Sequence, residues 1–379
     1  MSDLYRSALM AKLPKLPDED EEEMDEEEET GDLAPLPSMP PPSSSFSKQK
    51  GRVQSRRAPN PEFSPISAAG FFEQAVEVIV PESQLKFRVF YTPPSAPAPG
   101  GTIMVLHHGA GYSGLSFAMM AKEITAETGG ECGVLALDCR RHGRTTPLNE
   151  TVSDEDLSVD VLAEDAYNLL CTLFPDPSTT PSLLLVGHSM GGSVLVRTCP
   201  MLLTKKYRVT GVAVLDVVEG SAMEALPHMH HLLNSRPDGF NNLEDAIEWH
   251  VTNHTIRNPT SARISVPSLF VPSSPDSSQR FVWRTPLRST APYWESWFLG
   301  LSKSFLEVRT ARLLVLAGTD RLDKDLMLGQ MMGKFQLVVI PGTGHMIQED
   351  DPSKLAEILI EFWRRNERVI PGVKKVGEL

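Results

Sequence analysis

Apolar residues fall along this chain in two rhythms, and the rhythms outline its architecture. Strands show as short alternating or wholly apolar runs, helices as longer stretches with an apolar residue every three to four positions. Residues 74–80 and 85–91 alternate around a Pro-Glu-Ser turn, which predicts two antiparallel opening strands. Residues 102–107, 133–138, 183–186, 209–215, 312–317 and 336–340 are compact apolar runs, the pattern of buried strands. Helical spacing marks 154–174, 326–334 and 352–366. Strands alternating with helices predict an α/β chain with a mostly parallel central sheet flanked by helices, its site at the strand C-termini. Between 217 and about 308 the regularity lapses into helical fragments broken by PDGF, RNPTSA and PSSPDSS. That stretch reads as an inserted helical cap. Residues 1–65, proline-rich and poor in apolar side chains, read as a disordered tail, with order expected from about Phe71.

Composition sharpens this outline. The chain has 379 residues and 41% hydrophobic content, ample for one large core spanning 66–379. The net charge of −13 is concentrated in the tail, where DEDEEEMDEEEE begins at Asp18. A short basic cluster follows (Lys48, Lys50, Arg52, Arg56, Arg57), so nucleic-acid binding by the body of the chain is not indicated. Four cysteines without metal spacing are expected to stay reduced. The N-terminus lacks a sustained apolar segment, and no stretch reaches about 18 apolar residues. The expectation is a protein of the cytoplasm and/or nucleus with no membrane span.

The chemistry gathers at LLLVGHSMGG. An apolar strand runs into Gly187-His188-Ser189-Met190-Gly191, and a small-residue helical pattern follows. This G-x-S-x-G turn from strand to helix projects a serine hydroxyl above a sheet edge. A serine needs a base to take its proton, and the base needs a third group to orient it. His345, in a glycine-bearing loop after the last strand, is the expected base, where an α/β-hydrolase fold places it. Two carboxylates compete as third member: Asp320, ending the penultimate strand, and Asp216, ending the strand after the serine helix. A tetrahedral intermediate also needs preorganised N–H donors. The Met190 amide and the Ala110 amide of the His108-Gly109-Ala110-Gly111 loop are the expected pair. That loop also fits G-x-G-x-x-G (Gly109 to Gly114), a weak dinucleotide signal that the serine turn and the late histidine outweigh. His228, His230 and His231 lack the companion spacing of a metal site and read as cap packing. The Trp294, Trp297 and Phe298 run suits a substrate cleft or the cap core. No cofactor and no metal is called for.

Longer pieces carry a family resemblance. Glu62-Phe63-Ser64-Pro65, the serine turn, Leu215-Asp216-Val217-Val218-Glu219-Gly220, Ala246-Ile247-Glu248-Trp249, Ile256-Arg257-Asn258 and Ala317-Gly318-Thr319-Asp320-Arg321-Leu322-Asp323-Lys324-Asp325 together resemble the protein phosphatase methylesterases. The resemblance covers about Glu62 to the C-terminus and implies that Asp216, not Asp320, is the triad acid. It implies a serine carboxylesterase that removes the methyl ester from the C-terminal leucine of type-2A protein phosphatase catalytic subunits, its substrate and binding partner. The acidic tail and the short serine-rich segment at 272–280 depart from the family pattern. A small-molecule carboxylesterase or serine peptidase of the same fold, or a non-catalytic phosphatase-binding protein, are the competing readings.

Overall fold

The computed structural model describes residues 58–96, 100–274, 277–318 and 322–367. The twelve strands in chain order are β1 (Gln74–Val80), β2 (Leu85–Thr92), β3 (Thr102–His107), β4 (Cys132–Leu137), β5 (Thr146–Pro147), β6 (Ser182–His188), β7 (Val209–Leu215), β8 (Gly239–Phe240), β9 (Phe270–Pro272), β10 (Phe281–Trp283), β11 (Ala311–Leu316) and β12 (Gln336–Val339). The helices are α1 (Ala118–Glu127), α2 (Val159–Leu173), α3 (Met190–Thr204), α4 (Glu219–Ser235), α5 (Leu243–Thr252), α6 (Pro259–Ser265), α7 (Trp294–Phe298), α8 (Leu301–Glu307), α9 (Lys324–Met331), α10 (Ile347–Asp350) and α11 (Pro352–Glu367).

Eight strands lie in the order β1-β2-β4-β3-β6-β7-β11-β12, with β5 paired to β2. β1, β2 and β4 pair antiparallel, and every later pair is parallel. The expected α/β-hydrolase arrangement is therefore present. Register decides where its loops go. His107 lies opposite Gly187, His188 opposite Leu215, and Leu215 opposite Val315. The chain thus leaves β3, β6, β7 and β11 at one level of one sheet edge.

Period-two alternation explains why β6 is wholly buried. Leu183 and Leu185 enter one cluster with Val194, Leu195, Leu162 and Leu169 of α3 and α2. Leu184 and Val186 enter the other, with Met120 and Ile124 of α1 and Leu355, Leu359 and Phe362 of α11. Successive side chains of a strand point to opposite faces, so a sheet covered on both sides needs apolar residues throughout. The helix α1 had no sequence expectation of its own, because its residues AMMAKEITAE are too evenly apolar to mark a face.

The stretch between β7 and β11 lies outside the sheet order and holds helices α4 to α8. It also holds a small three-stranded sheet, β8-β10-β9, where only helical fragments were expected. These strands are two or three residues long, too short for alternation to register. A third cluster, with Phe240, Ile247, Ile256, Phe270 and Trp283, forms its centre, and Phe63 packs against it. Residues 58–70 therefore follow a defined path earlier than Phe71. Arg263 Nε donates to the Ser64 carbonyl at 2.7 Å and the Ile66 amide to the Arg263 carbonyl at 2.9 Å. Those partners are some 200 residues away in sequence, beyond the reach of local pattern. The expected tail otherwise lies outside the described residues. Among the described residues no helix is long and apolar enough to cross a membrane.

Phe362 tests the packing of the closing helix. It is 2% exposed, on the α11 face that covers the sheet. Phe362→Ala should destabilise by about 3–5 kcal/mol through lost transfer energy and a cavity. Denaturant unfolding checks this, and a loss below about 1 kcal/mol would show that α11 does not hold the sheet face.

Candidate active site

Ser189 sits between β6 and α3 with φ 52° and ψ −123°, a left-handed conformation that side chains rarely adopt. Its amide donates to the Leu215 carbonyl at 2.9 Å, which fixes the turn to the neighbouring strand. The flanking glycines are required sterically. A Cβ on Gly187 would meet the Gly191 carbonyl, and one on Gly191 would meet the His107 carbonyl oxygen. Such strain, of order 1–3 kcal/mol, persists only where surrounding structure enforces it.

Asp216 and His345 come together across 129 residues: His345 Nδ1 donates to Asp216 Oδ2 at 2.8 Å. The other carboxylate oxygen, Oδ1, accepts the Ala317 amide at 2.7 Å from the end of β11. Asp216 is 1% exposed at its side chain and His345 21%. With Nδ1 carrying the proton toward Asp216, the lone pair of a neutral His345 lies on Nε2. Ser189, Asp216 and His345 line one cavity of roughly 230 Å³. The competing carboxylate, Asp320, lies outside the described residues.

Ala110 and Met190 line the same cavity. Neither backbone amide has an acceptor among the described residues. The loop carrying Ala110 presses against the serine, since a Cβ on Gly109 would lie 3.1 Å from Ser189 Cβ. Its neighbouring amides are occupied: Gly111 donates to His142 Nε2 at 2.9 Å and Gly114 to Asp138 Oδ1 at 2.8 Å. A phosphate-cradling role for the G-A-G-Y-S-G loop would need those donors. The Ala110 and Met190 amides border the cavity together with Ser189.

Trp294 and Trp297 do both jobs considered for them. They are 4% and 2% exposed, their indoles donate to Thr290 Oγ1 and the Leu157 carbonyl, and they still line the cavity with Phe298. Of the HMHH run, His230 packs on Trp294 at 4.8 Å between ring centres. Among the described residues no three His, Cys, Asp or Glu side chains are grouped to hold a metal.

Residues 104–358 match the Alpha/beta hydrolase family. The Protein phosphatase methylesterase 1 of Cryptococcus neoformans var. neoformans serotype D is 45% identical over 406 aligned residues, covering 100% of this chain and 96% of its own. The chain belongs to the protein phosphatase methylesterases. The Aspergillus oryzae protein of the same name is 42% identical, over 97% of this chain and 91% of its own. Among solved structures, an E-2-(Acetamidomethylene)succinate hydrolase superposes with a TM-score of 0.58 at 18% identity, covering 76% of this chain and 98% of its own. An M. tuberculosis esterase superposes at 0.54 and 18%, covering 76% and 91%. These last two are likenesses of fold. As a member of the methylesterase family the chain is a carboxylic ester hydrolase.

Several residues that hold the methylesterase site were not singled out from sequence. His188 Nε2 donates to the His345 carbonyl at 2.8 Å, tying the serine turn to the histidine loop. Burial pushes its pKa down to about 3, so the ring stays neutral. His108 Nδ1 donates to the Gly109 carbonyl at 2.8 Å while its Nε2 accepts the Cys139 amide at 3.0 Å. His142 donates through Nδ1 to the Arg140 carbonyl at 2.8 Å. The histidine loop itself is clamped by Asp350, which accepts the Gly344 amide at 2.6 Å and the Arg257 amide at 2.7 Å. His108 and His188 lie inside motifs already recognised, so the sequence held a signal for them. His142 and Asp350 carried none.

These neutral histidines make the fold acid-sensitive. Burial lowers the pKa of His107 and His142 to about 4 and of His188 and His250 to about 3, and puts His108 well below its ordinary value. The unfolded chain takes up these protons near pH 6.5, the native state only near 4 or below. Their contribution to stability is therefore whole above about pH 6.5 and lost as pH falls toward 4. Asp138, pushed up to about 6 by burial, and Glu349, also raised by burial, act with the opposite sign. Five histidines outnumber these two carboxylates. Tm should fall steadily from pH 7 to pH 5, with net proton uptake on unfolding at pH 5.5. A Tm that is flat or rising across that range would contradict the neutral assignment.

Proposed function

We propose that this enzyme removes the methyl ester from the C-terminal leucine of the type-2A protein phosphatase catalytic subunit, working in the cytoplasm and/or nucleus. The name shared by its relatives supports the substrate, and the 2.8 Å contact between His345 and Asp216 supports the mechanism. Ser189 Oγ attacks the ester carbonyl as its proton passes to His345 Nε2. The resulting imidazolium is stabilised by Asp216, which holds the ring in the productive tautomer. The oxyanion of the tetrahedral intermediate is received by the Met190 and Ala110 amides, donors already in place before charge develops. Collapse expels the methoxy group, which takes the His345 proton and leaves as methanol. A water then repeats the sequence on the acyl-enzyme, releasing the free carboxylate and Ser189. The cavity wall formed by Val217, Leu226, Met229 and Leu233 is chemically suited to a leucine side chain.

Two substitutions test this. Ser189→Ala should lower methanol release from methylated catalytic subunit by about 10³-fold or more, and abolish labelling by a fluorophosphonate. Turnover near wild type, or labelling at another residue, would remove Ser189 as nucleophile. No labelling of the wild type would favour a non-catalytic binding protein.

Asp216→Asn should cost about 10³-fold or more in kcat while the fold persists. Its side-chain oxygen can still accept the Ala317 amide, and asparagine tolerates the positive φ of 50° at this position. Its amide donor, however, favours the wrong His345 tautomer. A loss under tenfold, measured beside an unchanged Tm, would return the acid role to Asp320.

A further inference from the structure

The wall of the catalytic cavity contains a cation that the proposed chemistry does not use. Arg236 directly follows α4, is half-buried, and lines the same cavity as Ser189. Its guanidinium lies 3.6 Å above the centre of the Trp283 ring. That indole is itself fixed, because its Nε1 donates to the Pro237 carbonyl at 2.7 Å. Stacking occupies one face of the guanidinium and leaves its in-plane N–H donors around the rim. Among the described residues none of those donors has a hydrogen-bond acceptor, and no carboxylate pairs with it. The titratable groups that bear on it are Tyr112 and a second cation, Arg288. Burial lowers the Arg236 pKa to about 10, so the group is protonated at any working pH.

Arg236 also faces a second space. With Leu233 and Leu287 it lines both the catalytic cavity and a groove of roughly 210 Å³ bounded by Pro237, Trp283, Pro286 and Arg288. The one carboxylate on that groove, Asp238, lies 3.3 Å from Arg288. A chain entering the groove with its terminus at Ser189 therefore passes a fixed, charged fork of donors. A partly desolvated cation gains from a counter-charge, and a planar guanidinium matches a carboxylate in two parallel hydrogen bonds.

We infer that Arg236 is a specificity-determining residue that receives the carboxylate side chain of an Asp or Glu lying upstream of the esterified terminus of a peptide substrate. This rests on the proposed reading of the substrate as a C-terminal peptide methyl ester. The apolar cavity beside Ser189 then accounts for the last side chain, and Arg236 for an acidic one before it. A role for Arg236 confined to packing on Trp283 makes a different forecast, because it affects acidic and neutral peptides alike.

The test scans one Asp through each of the six positions before a C-terminal leucine methyl ester, each peptide paired with its Asn counterpart. Fluorescein-labelled peptides are bound to full-length protein in a Ser189→Ala background, read by anisotropy, so that no turnover intervenes. At one position the Asp peptide should bind about tenfold or more tightly than the Asn peptide. Adding Arg236→Gln should bring that ratio close to one, while Arg236→Lys retains part of it, keeping the charge without the fork. The inference is overturned if no position shows an acidic preference, a result that needs no Arg236 variant. It is equally overturned if Arg236→Gln keeps the full preference or weakens both peptides in proportion. Methanol release by wild type is measured on the same peptides. An Arg236-dependent preference without methanol release would sink the methylesterase reading and leave the acidic subsite standing. Methanol release without a preference would do the reverse.

Discussion

Everything at this site depends on how closely β6 and α3 approach at the serine turn. The chain reverses so sharply there that Gly187 and Gly191 have no room for a Cβ, the second because the His107 carbonyl lies against it. This contact holds Ser189 in a backbone conformation it would not keep alone, and brings the Gly109 backbone against its side chain. One steric constraint thereby sets Ser189, Met190 at the start of α3 and the Ala110 loop along one cavity. The parallel register does the rest, because β3, β6, β7 and β11 end at one level.

The electrostatics follow a consistent plan. Beside His345 the carboxylate is Asp216, whose two oxygens are taken by the Ala317 amide and the His345 ring. Around it, His107, His108, His142 and His188 are buried and held neutral, each serving as an oriented dipole. A neutral imidazole offers one donor and one acceptor with little desolvation cost, which suits a water-poor region where additional charges would compete with the oxyanion. Rigidity of the loops around Ser189 is thus obtained without disturbing the charge that catalysis must develop.

The stretch between β7 and β11 supplies what the proposed triad lacks. A serine, a histidine and a carboxylate treat a methyl ester like any other, so selectivity must arise from walls that bind parts of the substrate away from the reacting carbon. This stretch contributes the apolar wall from α4, the indoles of α7 and the Arg236–Trp283 stack. It is also fastened to the histidine loop, because Arg257 shares Asp350 with it. Binding to this stretch and placement of His345 are therefore mechanically connected.

Local physics determined much of this from sequence alone. Alternation and apolar runs located the main-sheet strands apart from the two-residue β5, because strand periodicity is a property of adjacent residues. The serine turn was legible for the same reason, since its glycines answer a clash within a few residues of chain. Family resemblance singled out Asp216, which spacing left level with Asp320. Tertiary structure alone decided the rest. It brought His345 to Asp216 over 129 residues, made His142 a support for the Gly111 loop 31 residues before it, joined Asp350 to Arg257 across 93 residues, and built a small sheet from strands too short to show a period. It also left Arg236 stacked on Trp283 without a counter-charge among the described residues. A side chain's neighbours come from whichever distant segments the fold packs against it, and no pattern of neighbouring residues encodes that choice.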